Sequence, residues 1–145
     1  MSFTKLRREE IFQKCNGHCA YCGEILEFTK MQIDHIIPQY NFINDVINKW
    51  RIPSFLTHLK FNEYDHIDNL MPSCRVCNKW KSAFDLEYFR NEIFQQIRRL
   101  NEKSSNYRMA KRFGLVIESA KPIIFYFETI KQPSIHNETK LLEIE

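Results

Sequence analysis

Residues 15–38 read CNGHCAYCGEILEFTKMQIDHIIP, and residues 69–81 read NLMPSCRVCNKWK. Two Cys-x-x-Cys pairs, Cys19/Cys22 and Cys74/Cys77, enclose the dipeptide Asp34-His35, and Asn78 follows the last cysteine directly. Four thiolates are the ligand set that tetrahedral structural zinc prefers, and each Cys-x-x-Cys knuckle can place both sulfurs on one side of a tight turn. Gly17 and Gly23 flank the first knuckle, where turn residues belong. Positions 23 to 73, 51 residues, separate the pairs, a longer gap than a zinc ribbon uses. Tripling a loop adds only about 1 kcal/mol of closure entropy. Structural zinc contributes roughly 10 to 16 kcal/mol of apparent binding energy in small domains, so the long excursion does not exclude the site. The competing reading is disulfides or free buried thiols, which an intracellular chain disfavours. The fifth cysteine, Cys15, reads as a buried helix residue.

The chain of 145 residues is one domain's worth, and 14% aromatic residues, 12 of them phenylalanine, belong to a folded protein rather than a disordered one. The N-terminus lacks an apolar signal region, and no segment approaches the roughly 18 uninterrupted apolar residues of a membrane span, so the expected location is cytoplasmic. A net charge of +3 and a pI near 8.6 permit a phosphate-rich partner without demanding one. Arg98, Arg99, Lys103, Arg108, Lys111 and Arg112 cluster with only Glu102 among them, whereas Glu138, Glu143 and Glu145 make the end acidic. A phosphate track and a solvated helix face both fit that cluster.

Thr4 can cap a helix over 5–15 with Leu6, Ile11, Phe12 and Cys15 as its stripe, ended by Asn16-Gly17. Residues 25–28 and 31–37 are short β-prone runs that predict a hairpin around Thr29-Lys30, delivering Asp34 and His35 to a strand end before Pro38. Phe42, Ile43, Val46, Ile47 and Trp50 recur at helical spacing over 41–50. Residues 52–68 read as loop, with Phe55, His58, Lys60 and Tyr64 available to nucleic acid. A brief strand over 69–72 enters the second knuckle, and a helix from Arg75 carries Asn78 and Lys81 on one face. Asp85 caps a longer helix, 86–101, with Leu86, Phe89, Ile93, Phe94, Ile97 and Leu100 inward. A weaker helix over 107–119 is interrupted by Gly114, the run 123–127 is strand or buried helix, and residues after Gln132 read as frayed. The class is α+β: one domain over 1–145, with a zinc and site core at 15–82 and a helical extension at 85–132.

Phosphodiester hydrolysis needs an activated water, a cation to stabilise charge on the phosphate and leaving oxygen, and a scaffold that aligns them. The imidazole of His35 is a residue type that can take a proton from water. Asp34 and the Asn78 side-chain carbonyl are hard oxygen ligands suited to a water-rich Mg2+ or Mn2+. On this reading zinc takes the sulfurs and the second ion takes the oxygens.

The series Cys19-x-x-Cys22, Asp34-His35-Ile36-Ile37-Pro38, Asn69-Leu70 and Cys74-x-x-Cys77-Asn78-x-x-Lys81 resembles the zinc-bearing branch of the HNH endonucleases over residues 15–82. The resemblance implies a ββα-metal core and metal-dependent cleavage of double-stranded DNA to 5'-phosphate and 3'-hydroxyl ends. It makes His35 the general base and Asn69 the residue that orients it. Asp34 and Asn78 become ligands of the divalent ion, and Lys81 a phosphate contact. In two places the chain departs from the family: Asn78 stands where the final histidine is usual, and the segment between His35 and Asn69 is longer and lacks the usual glycines.

Each assignment has a plainer rival. Asp34-His35 can be a hydrogen-bonded pair at a strand end, Asn78 a knuckle cap, and Lys81 and Arg75 solvated charges. Asp65-His66 repeats the dipeptide and reads either as a second base or as a turn before Asn69. Two other functions compete with the nuclease: a zinc-stapled recognition module, and an effector subunit of a defence or mobile-element assembly whose C-terminal helices dock a partner. A homodimer is the simplest way to cut both strands.

Overall fold

In the computed structural model, which describes residues 2–49 and 51–130, the Thr4 hydroxyl accepts from the Arg7 N–H and opens α1 (Lys5–Gln13). α1 ends at the Lys14 cap, short of Cys15, and Asn16 in the left-handed region (φ 51°) turns the chain toward the first knuckle. Only part of its expected stripe is inward: Ile11 and Cys15 are buried, while Leu6 stays exposed.

The hairpin expected around Thr29-Lys30 does not form. Residues 27–31 wind into a turn in which the Lys30 and Met31 N–H groups both donate to the Glu27 carbonyl, and Ile25 makes only an isolated bridge with His18. β1 (Gln32–His35) pairs instead with β2 (Leu70–Ser73), antiparallel, with His35 opposite Leu70 and Gln32 opposite Ser73. Burial decides between the two partners. The 25–28 run offers an exposed Ile25 and Glu27, whereas every position of β2 is buried, so only the long-range pairing covers apolar surface.

α3 (Arg75–Lys81) follows β2 directly and packs on β1. Cys74 is its N-cap, with Sγ accepting from the Cys77 N–H, so one thiol both starts the helix and faces the other knuckle. Between the strands lie α2 (Gln39–Asn48) and two single 3-10 turns, Ser54–Leu56 and Ile67–Asn69. α2 starts two residues before the expected 41; Trp50, its expected end, lies outside the described residues. The 52–68 stretch is more than a loop, because Ile52, Leu56 and Leu59 join Phe42, Ile36, Ile37 and Met71 in the core.

The helix expected over 86–101 is two. α4 (Leu86–Phe94), capped by Asp85, ends where Gln95 relaxes to ψ −7°, and α5 (Gln96–Lys103) restarts there. α6 (Ser105–Arg112) begins two residues before Tyr107 on a Ser104 cap and stops at Gly114 (φ 72°), well short of Ser119, since a glycine in that region ends a helix. The 123–127 run has no regular structure up to Phe125, whose backbone is extended, and then forms one turn, α7 (Tyr126–Thr129). The Tyr126 and Phe127 N–H groups donate to the Tyr21 and Ala20 carbonyls of the first knuckle. Gly23 (φ 76°) lets that approach happen, for a Cβ there would meet the Tyr126 ring at 3.0 Å. Phe125 stacks with Phe89 and Phe127, and Tyr21 meets all three edge-on.

The chain is thus mixed helix with a small two-stranded sheet, an α+β arrangement. Among the described residues no helix is long and apolar enough to cross a membrane. The expected fraying after Gln132 and the acidic end fall outside the described residues.

Candidate functional site

The four knuckle sulfurs lie within 4.8 Å of one another, and Cys22 Sγ is 3.9 Å from Cys74 Sγ. Metal–sulfur bonds of about 2.3 Å in a tetrahedron put sulfurs roughly 3.8 Å apart, near the Cys22–Cys74 spacing, so the cluster could hold a metal ion such as zinc. All five cysteines are free thiols, which leaves the disulfide reading without support. The Cys74 N–H donates to Cys19 Sγ across the two knuckles at 3.3 Å. A hydrogen bond from Cys77, then backbone N–H groups including that of Cys74, draws the Cys19 thiol down to about 4 against its burial. The Cys77 thiol moves up because of the same hydrogen bond, and burial takes Cys22 up to about 11. Four thiolates this close repel one another, and a cation among them is what lets all four ionise. Cys15 stands apart from the cluster, and burial pushes its thiol up to about 11, as for a packing residue.

Asp34, at the centre of β1, is 6% exposed. Its Oδ2 accepts from the Tyr21 hydroxyl and lies 3.0 Å from Lys81 Nζ. Burial pushes the Asp34 carboxyl up, opposed by the Lys81 ammonium and then the Tyr21 bond; burial likewise holds Tyr21 well above its usual range, so it remains a donor. Lys81 was expected to touch phosphate, and its position corrects that expectation. Its side chain is wholly buried, and Nζ donates to the His35 carbonyl at 2.7 Å as well as pairing with Asp34. A buried carboxylate needs a counter-charge, and Lys81 on the inward face of α3 supplies it.

His35, at the end of β1, puts Nε2 2.7 Å from Asp65 Oδ1. A carboxylate only accepts, so Nε2 is the donor in this contact, and Nδ1 has no hydrogen-bond partner among the described residues. Asp65 is held in turn by Arg7, whose Nη2 donates to its carbonyl at 3.1 Å. Asn69, expected to orient His35, does not touch the ring. Fully buried, it clamps the backbone two residues beyond: Oδ1 accepts from the Ile37 N–H at 2.9 Å, while Nδ2 donates to the Ile37 and Tyr64 carbonyls. Its main-chain carbonyl also accepts from the Ile36 N–H.

Asn78 Nδ2 donates to Gln32 Oε1 at 2.7 Å, which fixes the amide and leaves its carbonyl oxygen unused among the described residues. Asp34, His35 and Asn78 together line a shallow depression of about 370 Å³, with Pro38, Tyr40 and Ser82 at its edge. The structure therefore brings together His35, Asp34 and Asn78, sets Asn69 behind them as a backbone clamp, and takes Lys81 inside.

Sequence reasoning missed Tyr21 and the pairing of Asp65 with His35. The signal for Asp65 was the repeated Asp-His-Ile tripeptide, yet its partner is 30 residues away and only the tertiary fold pairs them. The C-terminal basic cluster is mostly engaged within the chain: Arg98 with Glu102, Arg99 with Glu92, Lys111 with Glu118, and Arg108 on the carbonyls of Asn101 and Glu102. That pattern fits a solvated helix face better than a phosphate track. Of the 52–68 residues, Tyr64 is turned inward against Phe42 and His35, while Phe55, His58 and Lys60 remain exposed. No protein-family model, curated protein or solved structure matches the chain.

Proposed function

We propose that the chain is a metal-dependent endonuclease of the HNH kind, built on a ββα-metal core formed by β1, β2 and α3, and that it hydrolyses phosphodiester bonds in double-stranded DNA. The observation that carries this reading is the His35–Asp65 contact at the rim of a depression that Asp34 and Asn78 also line. His35 Nδ1 takes a proton from water. Asp65 holds the proton on Nε2, so that the free lone pair is the one facing away from the carboxylate, and it balances the charge when the ring becomes an imidazolium. Asn69 fixes the strand end through the Ile36 and Ile37 backbone, so the ring's position follows from buried hydrogen bonds rather than from a loop.

The second Asp34 oxygen and the free Asn78 carbonyl would hold Mg2+ or Mn2+, an oxygen set that fits an ion keeping most of its waters. When bound, such an ion stabilises charge on the phosphate and the leaving oxygen. Zinc, if bound by the four cysteines, would tie α3, and with it Asn78, to the first knuckle. Arg75 and Lys79 are the exposed cations of α3 and suit a phosphate backbone.

Supercoiled plasmid with Mg2+ or Mn2+ tests the reading. The chain should nick it, and His35→Ala should slow nicking by at least about 10²-fold while staying folded. Equal nicking by the variant removes His35 from the mechanism. Asp65→Asn, which presents an amide donor to Nε2 and so favours the wrong tautomer, should slow nicking by between about 10- and 10²-fold with the melting temperature nearly unchanged. If Asp65→Asn cuts at the full rate, the tautomer argument fails.

A second reading, a zinc-stapled module that binds DNA without cutting it, draws on the Lys81–Asp34 pair, because an ammonium against the carboxylate weakens its pull on a second cation. Retention of DNA with no nicking in either metal would favour it. Phe113, Leu115 and Ile117, 72%, 80% and 92% exposed, suit docking to a partner subunit or a second copy, and light scattering at nuclease-assay concentrations would reveal the latter.

A further inference from the structure

Away from that depression, three side chains of the insertion converge on the surface. His58 Nε2 lies 2.9 Å from Asp68 Oδ2, His66 Nδ1 lies 3.6 Å from the same oxygen, and the two imidazoles meet edge to face with centroids 5.7 Å apart. One ligand atom from each lies within 4.8 Å of the other two. We propose that His58, His66 and Asp68 form a second metal site, for a divalent transition-metal ion such as Zn2+, and that the bound ion braces the segment carrying Asp65 and Asn69.

The donor set selects the class of ion. Two imidazoles and one carboxylate suit zinc and its d-block neighbours, whereas magnesium and calcium favour all-oxygen shells. His58, His66 and Asp68 keep 51%, 39% and 46% of their side-chain exposure, so an ion enters from solvent with little ligand desolvation and completes its shell with water. The carboxylate is held ready. Asp68 and Asn69 belong to the 3-10 turn Ile67–Asn69, which begins directly after His66. Lys14, the C-cap of α1, also fixes this turn, with Nζ donating to the Ile67 and Leu70 carbonyls at 2.8 and 2.6 Å. His58 lies in the chain between the buried Leu56 and Leu59. Its imidazole meets Asp68 through a half-exposed hydrogen bond. An ion in place of that hydrogen bond ties residue 58 to residues 66 and 68 and closes the short loop between them. The segment so closed includes Asp65, the partner of His35, and runs into Asn69, the clamp on Ile37.

The site stands on its own side chains, and its test needs no nuclease activity. Equilibrium dialysis of the full chain with excess Zn2+ should find one more ion per chain in the wild type than in His58→Ala/Asp68→Asn, whose replaced side chains are surface groups. At Zn2+ tenfold above its Kd, backbone hydrogen exchange over 65–70 should slow about tenfold in the wild type and not in the double variant. Equal ion counts in the two proteins overturn the site. Exchange over 65–70 that ignores the extra ion overturns the bracing. An unchanged circular dichroism spectrum of the variant keeps misfolding out of the comparison.

Discussion

Removing the metal from the cysteine cluster should unfold this chain rather than loosen one corner of it. The knuckles join the start of the fold to its middle: Cys19 follows α1, Cys74 caps α3, and the N–H of one bonds the sulfur of the other. The first knuckle also anchors the C-terminal region, since Ala20 and Tyr21 accept the N–H groups that open α7. Structural zinc in small domains contributes roughly 10 to 16 kcal/mol, against a typical total stability of about 5 to 15 kcal/mol, so the apo chain has little left to hold it together. The sharpest variant is Cys74→Ser. Serine is itself a good N-cap, so α3 keeps its first hydrogen bond and only the thiolate ligand is lost. In a His58→Ala/Asp68→Asn background, which leaves the cysteine cluster as the metal site at issue, chelation and Cys74→Ser should each abolish the cooperative melt and the near-ultraviolet signal of Tyr21 and its aromatic neighbours. A metal-free protein melting at the temperature of the loaded one would sink the argument.

What the sequence made legible were the features whose physics is local. Thr4, Asp85 and Ser104 are side-chain caps that a short peptide could display, and two of them were read at their correct helix starts. The cysteine cluster was legible because its ligand count and spacing are chemical constraints that survive any loop length. The false hairpin shows the opposite case. Residues 25–28 and 31–37 have strand propensity, but propensity cannot say that the better apolar partner for β1 waits at Leu70. The same limit hid Asp65, whose importance lies in a contact across the insertion, and turned Lys81 from a surface cation into an interior one. A lysine three residues after Asn78 lies on nearly the same helix face, yet Asn78 lines the depression while Lys81 reaches beneath it to Asp34. The single helix expected over 86–101 failed at Gln95, where no glycine or proline marks the break.

Lys81→Met should destabilise the protein by about 3 to 5 kcal/mol, the range for removing one partner of a buried ion pair. Methionine nearly fills the volume, so the loss is electrostatic: Asp34 is left 6% exposed, with the Tyr21 hydroxyl as its remaining donor. Burial already pushes the Asp34 carboxyl up, and Lys81 is the first group holding it back. Without the ammonium the carboxyl rises further, and its folded state then prefers the protonated form over the unfolded chain's ordinary carboxylate. A raised carboxyl contributes stability at low pH that disappears as pH rises through its folded value, so the gap between variant and wild type should narrow as pH falls from about 7 toward 5.5. Adding Asp34→Asn should recover part of the loss, because the neutral amide still accepts from Tyr21 and no longer needs a counter-charge; the double variant should be more stable than the sum of the singles. Urea melts at the two pH values measure all of this. A lysine serving phosphate at the surface would behave differently, leaving the melt untouched and weakening only nucleic-acid binding. Because Lys81 also donates to the His35 carbonyl, Lys81→Met, where it remains folded, should on the proposed nuclease reading also slow nicking, even though its side chain never meets solvent.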